Sequence, residues 1–298
     1  MSKKYIIAAL SLACAAMAAE LELSKDQYFL KEEFNICSLW HEGMTWEEFL
    51  EIRNGLRRDG LIKYVDKIEQ QKMAREAGIE VPKTYIATRD KVSVVGILAH
   101  LRSYVAKATH MSFSQGLILV KQGINQLTNK PISPEEVQES LFETLQRKPR
   151  KVESWALHHV PAGFMIQEYI PNRNEAKIQT IWGRAVIGEW RGGERPTPTT
   201  AIWGRYDRDG KRVRGEHQAP SWWPKAVAAA ELLAKGTDAL RVDFLVREDG
   251  TLLLNELEIW PESTWDCMKA ELEKQLNAGY RVLQKNFCSH SLRRRLVA

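Results

Sequence analysis

Three carboxylates interrupt two apolar runs near the end of the chain, where uninterrupted apolar strands would be expected. Asp243 lies in Leu240-Arg241-Val242-Asp243-Phe244-Leu245-Val246, and Glu256 and Glu258 lie in Thr251-Leu252-Leu253-Leu254-Asn255-Glu256-Leu257-Glu258, with Arg247-Glu248-Asp249-Gly250 between them. An Asp-Gly turn between apolar runs reads as a β-hairpin. The two-residue period of a strand points Glu256 and Glu258 to one face, so two anions stand together unless cations come between them. Carboxylate-only clusters suit Mg²⁺, which binds one or two carboxylates together with nucleotide phosphates. The same residues also read as an exposed edge hairpin with ordinary surface charge.

A second chemical feature is Lys107, which follows the apolar Tyr104-Val105-Ala106 and leads into residues 108–116 before the apolar Leu117-Ile118-Leu119-Val120. A lysine at the end of a strand beside a small-residue loop makes a phosphate clamp, with the loop giving backbone N–H groups and the lysine a point charge. The alternative is a surface hairpin with an exposed lysine. Between Arg184 and Arg214 eight arginines and lysines outnumber four acids, with Trp190 and Trp203 interleaved. Arg184, Arg191, Arg195 and Arg205 are candidates to hold carboxylates, uronates or phosphates in bidentate geometry, or else belong to a solvated β layer. His110, His158 and His159 are open to structural or chemical roles.

The elements that must position these groups follow from composition and pattern. With 298 residues, 44% hydrophobic and 27% charged, the chain is neither disordered nor fibrous and is long enough for two domains. Its formal net charge of +5 suits an anionic small substrate and does not require nucleic acid. Lys3 and Lys4 precede an apolar run over 5–19 that ends in small residues, the layout of a signal peptide; a buried N-terminal helix is the alternative. The run is shorter than the ~20 residues of a membrane span. Removal of Cys14 would leave Cys37, Cys267 and Cys288, which permits at most one disulfide, and no close spacing suggests zinc.

Residues 21–64 read as helical, with Thr45 as N-cap and Glu48 three residues on, and with Trp46, Phe49, Leu50, Ile52 and Leu56 as core positions. Asp66 is placed to cap a helix that Gly78 stops, and 84–87 reads as a strand. Helices are expected at 93–101, 134–146, 223–233 and 268–283, and a strand in Gly163-Phe164-Met165-Ile166-Gln167-Glu168-Tyr169-Ile170. The basic run at 293–295 reads as a tail.

Taken in order, these pieces resemble the ATP-grasp superfamily: Asp66-Lys67 opening a helix that runs into Gly78-Ile79-Glu80-Val81-Pro82, a strand ending in Lys107 before a loop, Gln167-Glu168-Tyr169-Ile170, and Arg241-Val242-Asp243 with Asn255-Glu256-Leu257-Glu258. Glu256 follows Asp243 by thirteen residues, the expected spacing. Within the superfamily the likeness is to TupA-like proteins, named for teichuronic acid biosynthesis. It is carried by Ala108-Thr109-His110-Met111-Ser112, His159-Val160-Pro161 and Tyr206-Asp207-Arg208-Asp209-Gly210, within about 66–266.

The resemblance implies an α+β protein of ATP-grasp fold, in which two mixed subdomains grip ATP in the cleft between them. The implied division is 1–19 as signal peptide, 20–65 as a helical N-terminal cap, 66–165 as the small subdomain with a phosphate lid, and 166–298 as the large subdomain with the metal-binding hairpin. It also implies that Lys67 and Lys107 hold phosphates, that Thr109, His110 and Ser112 belong to the lid, and that Gln167, Glu168, Tyr169 and Ile170 meet adenine. Glu175, seven residues after Glu168, takes the ribose, and Lys177 lies near the terminal phosphate. Arg241 and Lys107 are the implied catalytic residues, and Asp243, Glu256 and Glu258 the ligands of two Mg²⁺ ions, or of Mn²⁺. Two departures stand out. Glu258 replaces a common Asn, and Met111 and Phe113 make the lid poor in glycine, which implies a slower or more ordered loop.

The implied reaction is ATP-dependent joining of a carboxylate to an amine through an acyl phosphate, on a small molecule or glycan bearing carboxylate or phosphate. A kinase acting on a hydroxyl and a nucleotide binder without turnover are the alternatives. A signal peptide would place the protein in an ATP-supplied secretory compartment or organelle lumen; its absence would leave the protein cytoplasmic.

Overall fold

The structure, a computed structural model, describes residues 41–57, 59–112, 114–149, 155–171, 174–192, 202–215, 217–259 and 266–283. The expected signal peptide, Cys14, Cys37, Phe113, Arg195, Cys288 and the basic run at 293–295 lie outside these residues. The protein is α+β, with two six-stranded antiparallel sheets among the described residues. No helix among the described residues is long and apolar enough to cross a membrane.

The first described helix, α1 (Trp46–Leu56), starts at the expected capping box: the Thr45 side chain accepts from the Glu48 N–H, and the Glu48 carboxylate accepts from the Thr45 N–H at 2.8 Å. It ends at Arg57, whose φ of 47° is left-handed, and a 3₁₀ turn, Asp59–Tyr64, follows. Residues 21–40 of the expected helical stretch lie outside the described residues; in the rest of it the α-helix stops at the left-handed Arg57, two residues after the poor helix former Gly55. Trp46, Phe49 and Leu50 are buried against Leu272, Leu276 and Tyr280 of the closing helix α6 (Asp266–Leu283). Beneath α1 the buried Arg53 guanidinium meets Asp238 at 2.7 Å and donates to the Ala239 and Ile259 carbonyls. Burial, with Asp238 nearby, pushes the Tyr64 hydroxyl up to about 12.

Gly279 of α6 packs directly on Trp182, whose indole N–H donates to the Leu276 carbonyl. A Cβ on Gly279 would stand 2.0 Å from that nitrogen. Gly279→Ala should therefore cost about 1–3 kcal/mol despite its gain in helix propensity, read as a lower midpoint in urea.

Helix α2 (Lys67–Glu76) is capped by Asp66, which accepts from the Ile68 N–H at 3.0 Å and pairs with Arg89. The chain turns out of it at Gly78, φ +70°. The first sheet has the order β1-β6-β2-β3-β4-β5, from β1 (Thr84–Thr88), β2 (Tyr104–Ala108), β3 (Leu117–Lys121), β4 (Ile124–Asn125), β5 (Lys130–Pro131) and β6 (Phe164–Glu168). Its core packs Tyr104, Ala106, Ile118, Val120, Phe164 and Ile166 against Val94, Leu98, Val137 and Leu141, contributed by α3 (Val95–Leu98), its N-cap and α4 (Pro134–Thr144). Helix α3 is a single turn rather than the span 93–101: Val94, Val95 and Gly96 are poor helix formers together. The expected division after residue 165 falls inside β6, a strand of the first sheet.

The second sheet runs β10-β9-β8-β7-β11-β12, from β7 (Asn174–Ile181), β8 (Arg184–Gly192), β9 (Ile202–Asp207), β10 (Arg212–Gly215), β11 (Ala239–Val246) and β12 (Leu252–Glu258). Helix α5 (Trp223–Leu233) covers one face, where Ala176, Ile178, Val242 and Phe244 alternate inward. The other face carries Lys177, Arg241 and Asp243. At its far end it is closed by α1 and α6 over Ile181, Ile187 and Ala239, and the rest of it looks toward the first sheet.

Candidate functional site

A cleft of about 620 Å³ opens between the two sheets. The first sheet contributes Lys107 from the end of β2, Ser112, Ser114 and Gln115 from the loop between β2 and β3, and Gln167, Glu168 and Ile170 from the end of β6. The second sheet contributes Glu175 and Lys177 from β7, Arg241 and Asp243 from β11, and Asn255, Glu256 and Glu258 from β12. Lys67, the first residue of α2, completes the lining.

The hairpin register explains how the acidic groups meet. Asp243 stands opposite Glu256 and Arg241 opposite Glu258, while on its other side β11 sets Asp243 opposite Lys177. Between the pairs Asp243–Glu256 and Phe244–Leu254 the register shifts, so β12 carries one extra residue, Asn255. This bulge brings Asn255 and Glu256 to the cleft together, against the alternation of a regular strand.

Each of the two inner carboxylates is matched with cations. Asp243 is buried, with its Oδ1 accepting from Arg241 Nε at 2.8 Å and its Oδ2 from Arg241 Nη2 at 3.0 Å and from Lys177 Nζ at 3.0 Å. Burial pushes the Asp243 carboxyl up, but Arg241 and then Lys177 outweigh it, and the group lies below the usual carboxylate range. The same balance operates at Glu256, where Lys67 at 2.8 Å outweighs burial and lowers the carboxyl. Lys67 also donates to the Met111 carbonyl at 2.7 Å, which ties the loop after β2 to the hairpin through one ammonium. Arg241 is raised further, its pairing with Asp243 overcoming burial, so it is a permanent cation.

Glu175 behaves in the opposite way. Burial pushes its carboxyl above the ordinary value, more than Lys177 at 3.8 Å lowers it, and Asp243 adds to the rise. The folded state then binds the proton more tightly than the unfolded chain, so this group's contribution to stability falls as pH rises through the folded value. Glu175→Gln should be more stable than wild type at pH 7 by about 0.5–2 kcal/mol. The gap should close below about pH 4, where the carboxyl is protonated in both states; urea unfolding at the two pH values measures it.

Twelve of the fifteen expected site residues line the cleft. Thr109, His110 and Tyr169 do not. Thr109 and His110 are buried because the chain continues pairing beyond β2: the Thr109 N–H donates to the Gly163 carbonyl at 2.9 Å, and the Gly163 N–H donates to His110 Nδ1 at 3.3 Å. They fasten the base of the loop and do not cover the cleft. Burial lowers the His110 imidazole, with Lys67 adding to the fall, in keeping with a neutral ring accepting at Nδ1. The Glu168 carboxylate takes the Lys83 N–H at 2.8 Å and Arg247 at 2.7 Å, joining the first sheet to the turn of the β11–β12 hairpin. Ser114, Gln115 and Asn255 were not among the expected residues. The polar composition of the loop pointed to the first two, whereas Asn255 depends on the bulge.

Among the described residues no three carboxylate, histidine or cysteine side chains form a metal-holding cluster. Glu256 and Glu258, two positions apart on β12 and both in the cleft, have the hard oxygen donors that suit magnesium. Asp243 does not fit as a third ligand in this arrangement, because both its oxygens are already held by Arg241 and Lys177.

No family model matches the sequence, and no curated protein matches it. Solved structures similar to the chain include a D-alanine–D-alanine ligase from Bacillus anthracis complexed with ATP, at 15% identity and TM-score 0.49, covering 75% of this chain and 68% of that one. They also include the D-alanine–D-alanine ligase from Coxiella burnetii, at 16% identity and TM-score 0.47, covering 78% and 62%. A third is the ATP-grasp ligase PsnB complexed with minimal precursor, Mg and ADP, at 15% identity and TM-score 0.41, covering 79% and 64%. The chain spans 62% of the length of the Coxiella burnetii enzyme.

Proposed function

We propose that the protein is an ATP-dependent carboxylate–amine ligase of ATP-grasp type, acting on an anionic small molecule or a glycan. The observation that carries this reading is the facing of four cations, Lys67, Lys107, Lys177 and Arg241, with the carboxylates of the β11–β12 hairpin in one cleft between two antiparallel sheets. Such a cleft suits a polyphosphate, which needs cations for its oxygens, beside carboxylates that attract a divalent ion. The ordered motifs of the sequence support the same reading.

In this reading Lys67 and Lys107 hold the phosphates, and Gln167, Glu168 and Ile170 at the end of β6 meet the base. Glu175 takes the ribose hydroxyls. Glu256 and Glu258 would hold a magnesium ion, which would supply positive charge against the phosphates when bound. Lys67 must leave Glu256 for a phosphate, so the pairing seen here keeps the ammonium positioned until the nucleotide arrives. A substrate carboxylate oxygen attacks the γ-phosphorus as the bond to ADP breaks, and an acyl phosphate results. The amine then attacks the acyl carbon, phosphate leaves, and the amine proton is lost as the amide forms. Arg241, held by its fork to Asp243, would stabilise the oxyanion of the second step.

Calorimetric titration with a non-hydrolysable ATP analogue and Mg²⁺ tests the reading. Wild type is expected to bind, and Lys67→Met and Glu256→Gln to weaken binding by about tenfold or more. No binding to wild type would overturn the proposal. ADP release in the absence of any amine would favour transfer to a hydroxyl instead.

A further inference from the structure

The cleft face of the second sheet continues well past the residues that line the cleft. Strand register sets Asp243 of β11 opposite Lys177 of β7, Lys177 opposite Glu189 of β8, and Glu189 opposite Arg205 of β9. Directly opposed residues place their side chains on the same face, so these four groups form one row across four strands. Neighbouring strands lie about 4.8 Å apart, which puts Glu189 about 10 Å and Arg205 about 14 Å from Asp243 along the row.

Glu189 is 2% exposed and accepts from two guanidiniums at once: Arg205 Nε at 3.0 Å on Oε2, and Arg191 Nε on Oε1. Arg191 lies two residues along β8, on the same face and opposite Glu175. Two cations thus meet on one buried carboxylate, and Glu175, whose carboxyl burial favours in the neutral form, is the acid across from Arg191. Because both arginines are held through Nε, Glu189 fixes the plane of each fork. The Arg191 side chain is 53% exposed and that of Arg205 12%, so a solute would reach the pair at Arg191.

We propose that Arg191 and Arg205, positioned by Glu189, form an anion subsite that receives a carboxylate or phosphate group of the substrate about 10–14 Å from the reacting end at Arg241 and Asp243. The inference rests on reading the Lys67, Lys107 and Lys177 end of the cleft as the nucleotide site. It narrows the substrate to a molecule with two anionic groups: one that reacts and one that anchors. Arg184, at the far end of β8 opposite Ile181, takes no part in the subsite.

The test fills the nucleotide site with the non-hydrolysable ATP analogue and Mg²⁺, then titrates glutarate and, separately, inorganic phosphate by calorimetry. Wild type is expected to bind one of the two anions saturably, and the preferred one tells carboxylate from phosphate recognition. Arg191→Ala should weaken that binding about tenfold and leave the affinity for the analogue within about twofold. Glu189→Gln should weaken it by a smaller factor, with Glu189→Asp restoring part of the loss, which general destabilisation would not do. Arg205→Gln leaves Glu189 with one partner and risks misfolding, so the exposed Arg191 carries the decision. If neither anion saturates wild type, or if Arg191→Ala binds both as wild type does, the subsite is overturned. Failure of the analogue to bind would instead remove the nucleotide reading, and the same anion titrations on the protein alone would still judge the arginines.

Discussion

Asp243→Asn is expected to abolish ATP-dependent turnover and to lower stability by about 3–5 kcal/mol at pH 7. The carboxylate is 2% exposed and serves Arg241 through two bonds and Lys177 through a third. A neutral amide would keep the shape but leave two largely buried cations facing one dipole. The effect has a pH signature. The folded value of Asp243 is lowered, so its contribution is fully present above the unfolded carboxylate value near 3.9 and is lost as pH falls through the folded value. The gap between wild type and Asp243→Asn should therefore be full at pH 7 and shrink below about pH 4, opposite to the gap for Glu175→Gln, in which the variant is the more stable protein. A stability difference unchanged from pH 7 to pH 3 would show that the fork to Arg241 contributes nothing as a charge pair.

The second large effect lies away from the cleft. Arg53→Met should lower stability by about 3–5 kcal/mol while leaving analogue affinity within about twofold in the folded fraction. Arg53 and Asp238 are 2% and 1% exposed, and the guanidinium also serves two carbonyls at the ends of β11 and β12. Removing it strands a buried carboxylate. Replacing Asp238 with Leu in the same chain removes that carboxylate and should recover part of the loss, because the destabilisation comes mainly from the unpaired charge. Equal unfolding midpoints for the single and double variants would argue that the two carbonyls, not Asp238, account for the role of Arg53.

Features local in sequence were the legible ones. The β11–β12 hairpin follows from two apolar runs around Asp249-Gly250, the start of α1 from Thr45 and Glu48, and the place of Lys107 from its position after an apolar strand. Arg241 and Asp243, two apart on one strand, share a face by the period of a strand alone. What makes them a triad is Lys177, and Lys177 meets Asp243 through a register between strands 66 residues apart, which no local pattern encodes. The row from Asp243 to Arg205 has the same origin. Thr109 and His110 read as lid residues because they follow the clamp lysine; their burial depends on Gly163, 53 residues after His110. The bulge at Asn255 replaces a two-residue alternation with a local exception that Leu252-Leu253-Leu254 hides, since all three are buried.

The placement of β6 has a consequence for how the protein is made. In the first sheet the last strand to be synthesised lies between β1 and β2, and the bond from the Glu168 N–H to the Lys83 carbonyl joins residues 85 apart. Until residue 168 has left the ribosome, β1 and β2 each present an unpaired edge, and the loop after Lys107 lacks the Gly163 anchor at its base. A fragment ending near residue 150 would hold five of the six strands and still leave that centre empty, exposing two edges prone to pairing with other chains. A fragment carried past residue 170 would contain the whole sheet. The first sheet's side of the cleft is thus completed late, in one long-range step of the kind that slows folding.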